Sequence, residues 1–332
     1  MRLFTLASAM ACVVAAPVLA WSPSEIGTVA GVRNVVVEVD SGVVKILGGD
    51  QPYGVQFDKG AARLVPAKAP RSSSPPLDAI PHATLTKGKA NVAAAWLSGA
   101  TDRYNHGVLG DGIEASAVTV RLRDGRVLRH ELARDSVYED LTPRLYDMDD
   151  DGDDEIIMVR SDIYGGAAVS ILTVGASGLE VYAESDPIGL SHRWLNPVGA
   201  ADFDGDGVME VAAVVTPHLS GLLTYYKRAG RQLRRFAEIP GFSTHFIGSR
   251  ILGMSVILDA DGDGRPDVVA PSLDRETVRA VAVTGEGALE VVRTVRHASP
   301  VVTAIVAHDI DGQGQADLVY GLENGVIVLI RR

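Results

Sequence analysis

Short apolar runs alternate with acidic, glycine-rich loops along most of the chain. After residue 140 one arrangement recurs: an apolar run, an aspartate-rich loop, a second apolar run, and further runs split by a glycine turn. The loops begin at Asp147, Asp202, Asp259 and Asp309, so one unit is roughly 54 residues long. This pattern predicts four short strands per unit, although the last unit ends one strand short.

Repeats of four strands at this length are typical of β-propeller blades. We therefore predict an all-β chain that forms a six-bladed β-propeller of four-stranded blades, with seven blades as the alternative. Segment 81–133 fits the same template without an acidic loop, and its hairpin turns at Asp124-Gly125. The run 33–40 could supply the missing last strand and close the ring, which would remove exposed sheet edges.

The first twenty residues have the layout of a secretory signal peptide, with an early Arg2, an apolar stretch and a small residue, Ala20, at the cleavage site. A membrane anchor and a lipoprotein signal with lipid on Cys12 are the alternatives. Residues 21–332 then form one domain, with a Pro/Ser-rich surface linker at 65–81. We expect an exported protein, periplasmic or secreted, with no transmembrane segment.

Composition narrows the range of partners. The formal net charge is −11, and no basic stripe is visible, which argues against nucleic acid. Cys12 is the only cysteine, so the exported chain has no disulfide and depends on core burial, bound metal or both for stability.

The acidic loops predict calcium sites. Alternate carboxylates in a tight loop can converge on a hard cation, and a glycine at position 6 allows the sharp turn. No acid stands at position 12, so the loop is completed by position 9 and leads into a strand, not a helix. In the first three loops the ligands predicted at positions 1, 3, 5, 7 and 9 are Asp147, Asp149, Asp151, Asp153 and Glu155; Asp202, Asp204, Asp206, Val208 and Glu210; and Asp259, Asp261, Asp263, Arg265 and Asp267.

The fourth loop is predicted to bind more weakly. Gln313 stands at position 5, which leaves three carboxylates, those of Asp309, Asp311 and Asp317. Four carboxylates within a few ångströms would be destabilising without a cation, so metal-free turns are the less favoured alternative for the first three loops. In the first loop, Asp150 and Asp154 are expected to be solvated.

Four loops of the form D-x-D-x-x-G-x-x-[DE], each followed by a strand, resemble the FG-GAP or VCBS repeats of integrin-alpha-type propellers. The resemblance covers residues 140–325 firmly and implies a propeller fold with bound calcium. It does not select an activity, because such propellers serve in adhesion, in carbohydrate recognition and as parts of lyases and lipases.

A second site is predicted at the opposite face, on connections that a four-stranded blade sends away from the acidic loops. These connections carry Arg103, Tyr104, His106, Asp111, His192, Arg193, Trp194, His218, His245 and Arg250. They could line a pocket at the mouth of the central channel, or they could be surface and packing residues. If they line a pocket, replacing Trp194 or His218 by alanine should leave folding nearly intact.

Two functions follow from these expectations. The first is an exported module that binds a protein or a glycan. The second is a polysaccharide lyase or hydrolase that uses histidine with arginine or tyrosine for acid–base chemistry at the mouth. Convergence of the residues in one cleft, with a histidine of perturbed pKa, would favour the enzyme, and a scattered arrangement would favour the binding module. The sequence contains no nucleophile elbow, phosphate loop or histidine pair at metal spacing.

Overall fold

The computed structural model describes residues 18–38, 42–70, 76–285 and 287–332, and within these ranges the chain is all-β, without a helix. The predicted signal peptide falls mostly on residues 1–17, outside the described residues. Within the described ranges nothing helical is long and apolar enough to cross a membrane.

The strands, numbered in chain order, are β1 (Leu19–Ala20), β2 (Pro23–Thr28), β3 (Asn34–Glu38), β4 (Val43–Leu47), β5 (Tyr53–Asp58), β6 (Ala61–Pro66), β7 (Val92–Thr101), β8 (Glu114–Leu122), β9 (Val127–Glu131), β10 (Ser136–Tyr138), β11 (Arg144–Tyr146), β12 (Glu155–Asp162), β13 (Gly166–Gly175), β14 (Gly178–Ser185), β15 (Leu195–Ala201), β16 (Glu210–Val215), β17 (Leu222–Ala229), β18 (Gln232–Ile239), β19 (Val256–Leu258), β20 (Asp267–Pro271), β21 (Thr277–Thr284), β22 (Ala288–Arg296), β23 (Val306–His308), β24 (Asp317–Gly321) and β25 (Val326–Ile330).

These strands form antiparallel runs that follow chain order. β3 to β6 make one four-stranded sheet, and β19 to β22 make another, with β1 added in parallel to β22. The runs β11 to β14 and β15 to β18 lie in a strongly curled twelve-stranded sheet together with β7 to β10, joined through β14 and β18. The last run, β23 to β25, is completed by β2. Four of these runs carry an acidic loop between the first and second strands.

In three of the four acidic-loop runs the second strand is apolar after its opening acid, because both its faces are covered; β12 also carries Arg160 and Asp162, which are half-buried. β16, with the sequence EVAAVV, is buried at every position, and so are β20 and β24. The fourth strand β18 instead alternates between buried and exposed positions, as expected where one face meets water. The interior therefore lies between neighbouring sheets.

Side chains from successive sheets interlock to form the core. Ala212 and Tyr225 of the β15–β18 run pack with Val268 and Val281 of the next run. Other clusters join the β19–β22 sheet to the β23–β25 sheet and that sheet to β3 and β4. Burial on this scale, at about 25 cal/mol per Å² of apolar surface, is the main source of stability in a chain without disulfides.

The closing strand differs from the prediction. Pro23–Thr28, not the run 33–40, pairs with β25, and Asn34–Glu38 begins the next sheet as β3. Within β3 only Val35 is fully buried, and the other positions are half-buried. In segment 81–133 the hairpin at Asp124-Gly125 is present as β8 and β9, whereas the predicted first strand is reduced to a bridge between Thr86 and Ala95.

Candidate metal centres and a histidine cluster

The four acidic loops share one local hydrogen-bond pattern. The carboxylate at position 1 accepts backbone N–H groups from positions 4 to 6, as in Asp202, which accepts from Gly205 at 2.8 Å and Gly207 at 2.9 Å. The glycine at position 6 has a positive φ in every loop, for example 86° at Gly207, which other residues rarely adopt. The turn is therefore formed by the loop's own backbone and its first aspartate.

The acid at position 9 fixes the other side of each loop. One oxygen of each of these carboxylates accepts the backbone N–H of position 2, for example Glu210 from Phe203 at 2.9 Å. All four side chains are buried, with relative exposure of 1% or less: Glu155, Glu210, Asp267 and Asp317. Burial raises the pKa of Glu155, Glu210 and Asp267 to about 7 each, because a buried carboxylate resists ionisation.

Most predicted ligands lie together. In each of four groups, one oxygen from each member lies within 4.8 Å of the others: Asp202, Asp204, Asp206 and Glu210; Asp147, Asp149 and Glu155; Asp259, Asp261 and Asp263; Asp309, Asp311 and Asp317. Asp151 and Asp267 stand outside these groups. At position 7, the backbone N–H groups of Asp153, Val208 and Arg265 donate to the carboxylate at position 5. In the fourth loop Gln313, at position 5, donates its backbone N–H to Asp309 and Asp311.

These clusters could hold a metal ion. Their donors are carboxylate oxygens, which suit a hard cation. Two like charges 4 Å apart repel by about 4 kcal/mol at an effective dielectric constant of about 20, so several carboxylates this close need a counter-charge.

The expectation that Asp154 is solvated was wrong. Its side chain is 2% exposed and accepts the backbone N–H groups of Ala90 at 3.0 Å and Val92 at 3.1 Å. Asp154 therefore fixes the preceding run to the first acidic loop instead of facing water. Asp150 is exposed, as expected.

At the opposite end of the strands lies a group of side chains that we call the histidine cluster: Tyr104, His106, Glu139, His192, Trp194, His218 and His245. Because neighbouring strands are antiparallel, the connections after first and second strands lie at opposite ends. The His192 ring stacks on Tyr104 at 4.8 Å and lies 5.2 Å from the ring of His106. The Trp194 ring is 4.8 Å from His245 and 6.2 Å from His218.

Two histidines form a directed hydrogen-bond chain. His245 Nε2 is 2.8 Å from the carbonyl oxygen of Ser249, which can only accept, so His245 donates there. Nδ1 of the neutral ring then accepts from His218 Nε2 at 2.8 Å. Burial lowers the pKa of both His218 and His245 to about 4, so both rings are neutral at pH 7.

Glu139 lies at the centre of the cluster and was not among the predicted site residues. Its carboxylate accepts from His106 Nδ1 at 2.5 Å and from the Ser161 hydroxyl, and its backbone carbonyl accepts from Trp194 Nε1 at 2.9 Å. It is fully buried, and burial raises its pKa although His106 opposes the effect. Nearby Glu114 is also buried, and burial together with the charge of Glu139 raises its pKa to about 10.

The connection between β7 and β8 crosses to connections from later runs. Gly248 donates its N–H to the carbonyl of Val108 at 2.8 Å, and Arg250 forms an ion pair with Asp111 at 3.2 Å. The remaining predicted residues bond elsewhere: Arg103 donates to the carbonyl of Ser136, and Arg193 to that of His192. The predicted residues therefore lie at one end of the strands. Some of them bond one connection to another there and do not line a shared pocket.

Burial at this end overturns the expected tolerance of Trp194. Its side chain is 2% exposed and belongs to the largest apolar cluster, so its removal would leave a cavity. Tyr104 is equally buried, and His245 is fully so. These rings therefore do not present an open, ring-lined pocket.

The same end carries exposed apolar side chains on its connections. They are Tyr164 at 79%, Leu190 at 55%, Leu219 at 57%, Ile247 at 72% and Leu273 at 42% relative exposure. A cleft of about 580 Å³ lies beside Leu273, bounded by Gly241, Asp274 and Arg279.

Sequence reasoning missed Glu139 and Lys227. The only signal for Glu139 was the Glu-Asp pair inside the otherwise apolar run SVYEDL. Lys227 lies on β17, and its Nζ is 2.5 Å from Asp204 Oδ2 and 2.6 Å from Asp206 Oδ2. Lys227 lies more than twenty positions after the start of its loop, so the spacing of the acidic residues gave no signal for it.

A scan of the chain against protein-family models found no match, and a search of curated proteins found none either.

Proposed function

We propose that this chain is an exported, calcium-stabilised β-propeller with six FG-GAP or VCBS-type blades that binds a protein partner. The blade count is supported by the strand order. Four runs, including the one that β2 completes, have the order expected of blades, and β3 to β6 with β7 to β9 supply two more units. Pairing of β2 with β25 joins the two ends of the chain, as a closed ring requires.

Calcium is proposed because the repeated loops combine oxygen donors with the turn that calcium sites use. Positions 1 and 3 are aspartates in all four loops, and the acid at position 9 is buried beside them. Magnesium demands six ligands in a near-ideal octahedron, whereas calcium accepts flexible oxygen sets of six to eight. Backbone carbonyls and water would complete a set built on three or four carboxylates.

A protein partner is favoured over a glycan by one observation. Four of the five exposed large apolar side chains on the connections away from the acidic loops are aliphatic, and Tyr164 is the one aromatic among them, whereas Trp194 and Tyr104 are buried. A sugar commonly stacks on an exposed aromatic face, which those two rings cannot offer. Exposed apolar side chains on adjacent connections suit a protein interface, where apolar anchors provide much of the binding energy.

Affinity capture with matched variants tests this role. The bait would be the wild-type chain, a Tyr164→Ser/Ile247→Ser double variant, or Val127→Ser, which removes an exposed apolar side chain on the β8–β9 hairpin instead. Proteins from the source organism retained by the wild type and Val127→Ser, but lost from the double variant, are the expected result. Equal retention by all three baits would contradict a partner surface at this end.

A hydrolase or lyase is the second candidate, and the His106–Glu139 pair is the observation that favours it. A histidine bonded to a buried carboxylate, with Ser161 and His192 beside it, resembles the parts of an acid–base site. Incubation with neutral and acidic polysaccharides, assayed for new reducing ends and unsaturated products, tests it. The control is His297→Gln, which alters a histidine that follows β22 and bonds the Tyr320 hydroxyl. Turnover abolished in His106→Gln but retained in this control would replace the binding role by catalysis.

A further inference from the structure

The residue opposite the buried position-9 acid differs among the four acidic-loop runs. Each of these acids begins the second strand of its run. The pairing between the second and third strands extends up to the residue after each acid. One further step in the same register places a third-strand residue across from the acid itself, and this residue differs from run to run. In chain order these residues are Thr173, Lys227, Ala282 and Arg331. Two are neutral and two are cationic, although the loops themselves are alike.

Lys227 reaches into the Asp202 group. Its Nζ lies 2.5 Å from Asp204 Oδ2, 2.6 Å from Asp206 Oδ2 and 3.5 Å from Glu210 Oε1. That Glu210 oxygen is fully buried and has no hydrogen-bond partner, so the ammonium is the positive charge nearest to it. The ammonium therefore contacts three of the four carboxylates that would surround a metal ion.

Among the described residues, no cationic side chain bonds the Asp147 group. Thr173 donates its hydroxyl hydrogen to Glu155 Oε1 at 2.8 Å, and the Tyr182 hydroxyl donates to Asp149 Oδ2 at 3.0 Å. Both donors are neutral and leave the negative charge of the group in place. The Asp259 group has Ala282 across from it. Arg265, within the loop, bonds Asp263 and the backbone carbonyl of Val283 but neither of the other two carboxylates.

We propose that the third-strand residue decides which loops take calcium, and that Lys227 occupies the position of the ion in the Asp202 loop as a built-in cation. An ammonium offers three donors and one positive charge, which suits two carboxylate oxygens at hydrogen-bond distance and a third at 3.5 Å. Arg331 bonds one carboxylate of the fourth group, Asp311, as Arg265 bonds one of the third group, so neither arginine takes the place of an ion. The Asp202 loop is then closed to calcium, whereas the other three loops can take it.

This inference rests on the proposed calcium binding, and one experiment separates the two. Native mass spectrometry of the full chain, in calcium and after chelation, counts bound ions for the wild type, Lys227→Thr and Thr173→Lys. Arg231→Thr, which removes an exposed positive charge on the β17–β18 turn, is the matched control. We expect equal counts for the wild type and the control, one ion more for Lys227→Thr and one ion fewer for Thr173→Lys.

Thermal unfolding gives an independent readout. Without the Lys227 ammonium, the carboxylates of the Asp202 group repel one another unless a metal ion is bound. The unfolding midpoint of Lys227→Thr should therefore fall in chelator, and recover in calcium, by more than that of the wild type. If no variant binds calcium, the proposed calcium function fails. If the wild type binds calcium but Lys227→Thr gains neither an ion nor added calcium dependence, calcium binding stands and the role of Lys227 is refuted.

Discussion

The two ends of the strands carry polar groups in contrasting ways. At one end, each acidic loop gathers its carboxylates from nine consecutive positions, and most of these lie at the surface. At the other end, the histidine cluster draws on residues 104 to 245, and its central carboxylate, Glu139, is fully buried. The first arrangement crowds like charges that a cation would balance. The second satisfies its carboxylate with hydrogen bonds, and this difference should determine how each end responds to substitution, pH and metal.

The largest effect is expected from Trp194→Ala. The buried indole packs on His245 and donates to Glu139, so its loss should reduce the free energy of unfolding by about 3–5 kcal/mol. Urea denaturation should show the same loss in calcium and in chelator, because the indole lies at the end away from the acidic loops. A loss confined to one of the two conditions would mean that the ends are coupled.

The separation between the ends explains what could be predicted from the sequence. The acidic loops repeat within each unit, so spacing alone predicted which carboxylates lie together, except for Asp151 and Asp267. The convergence of His106, His192 and His245 follows from antiparallel connections and was also expected. Burial was not, because whether Trp194 or Asp154 faces water depends on segments far along the chain, such as the crossing connection at Val108. Lys227 was missed for the same reason.

Acid pH should weaken the histidine end. The folded-state pKa of His218 and His245 is about 4, below the usual value near 6.5, so only the unfolded chain takes up protons between these values. Stability contributed by the neutral rings is complete above about pH 6.5 and falls as the pH drops toward 4. Urea denaturation in saturating calcium measures how far the free energy of unfolding decreases from pH 7 to pH 5. This decrease should be smaller for His245→Gln than for the wild type, by roughly 1–2 kcal/mol. Equal decreases would mean that His245 does not titrate as inferred.

Asp154→Ala separates packing from cation binding at the acidic end. Asp154 accepts backbone N–H groups from Ala90 and Val92, and leaving these unpaired should cost about 1–3 kcal/mol. Asp154 lies outside the cation group of the first loop, so the number of bound calcium ions should not change. Loss of an ion together with stability would assign Asp154 to the metal centre.

The smallest effect is expected from Gln313→Asp, which restores the fourth carboxylate of the last loop. Added charge should strengthen calcium binding there, but the Arg331 guanidinium on Asp311 would limit the gain. Adding Arg331→Thr should enlarge it, and calcium titration calorimetry compares the two variants. An equally strong response without Arg331→Thr would show that charge count alone sets affinity.

Thermal unfolding of the wild type in calcium and in excess chelator tests the central claim most directly, that the acidic loops hold calcium which stabilises the fold. A ligand bound only by the native state at about a hundred times its dissociation constant adds about 2.7 kcal/mol per site. We predict that the unfolding midpoint falls by several degrees in chelator and returns when calcium, but not equimolar magnesium, is restored. An unchanged midpoint in chelator would contradict the account.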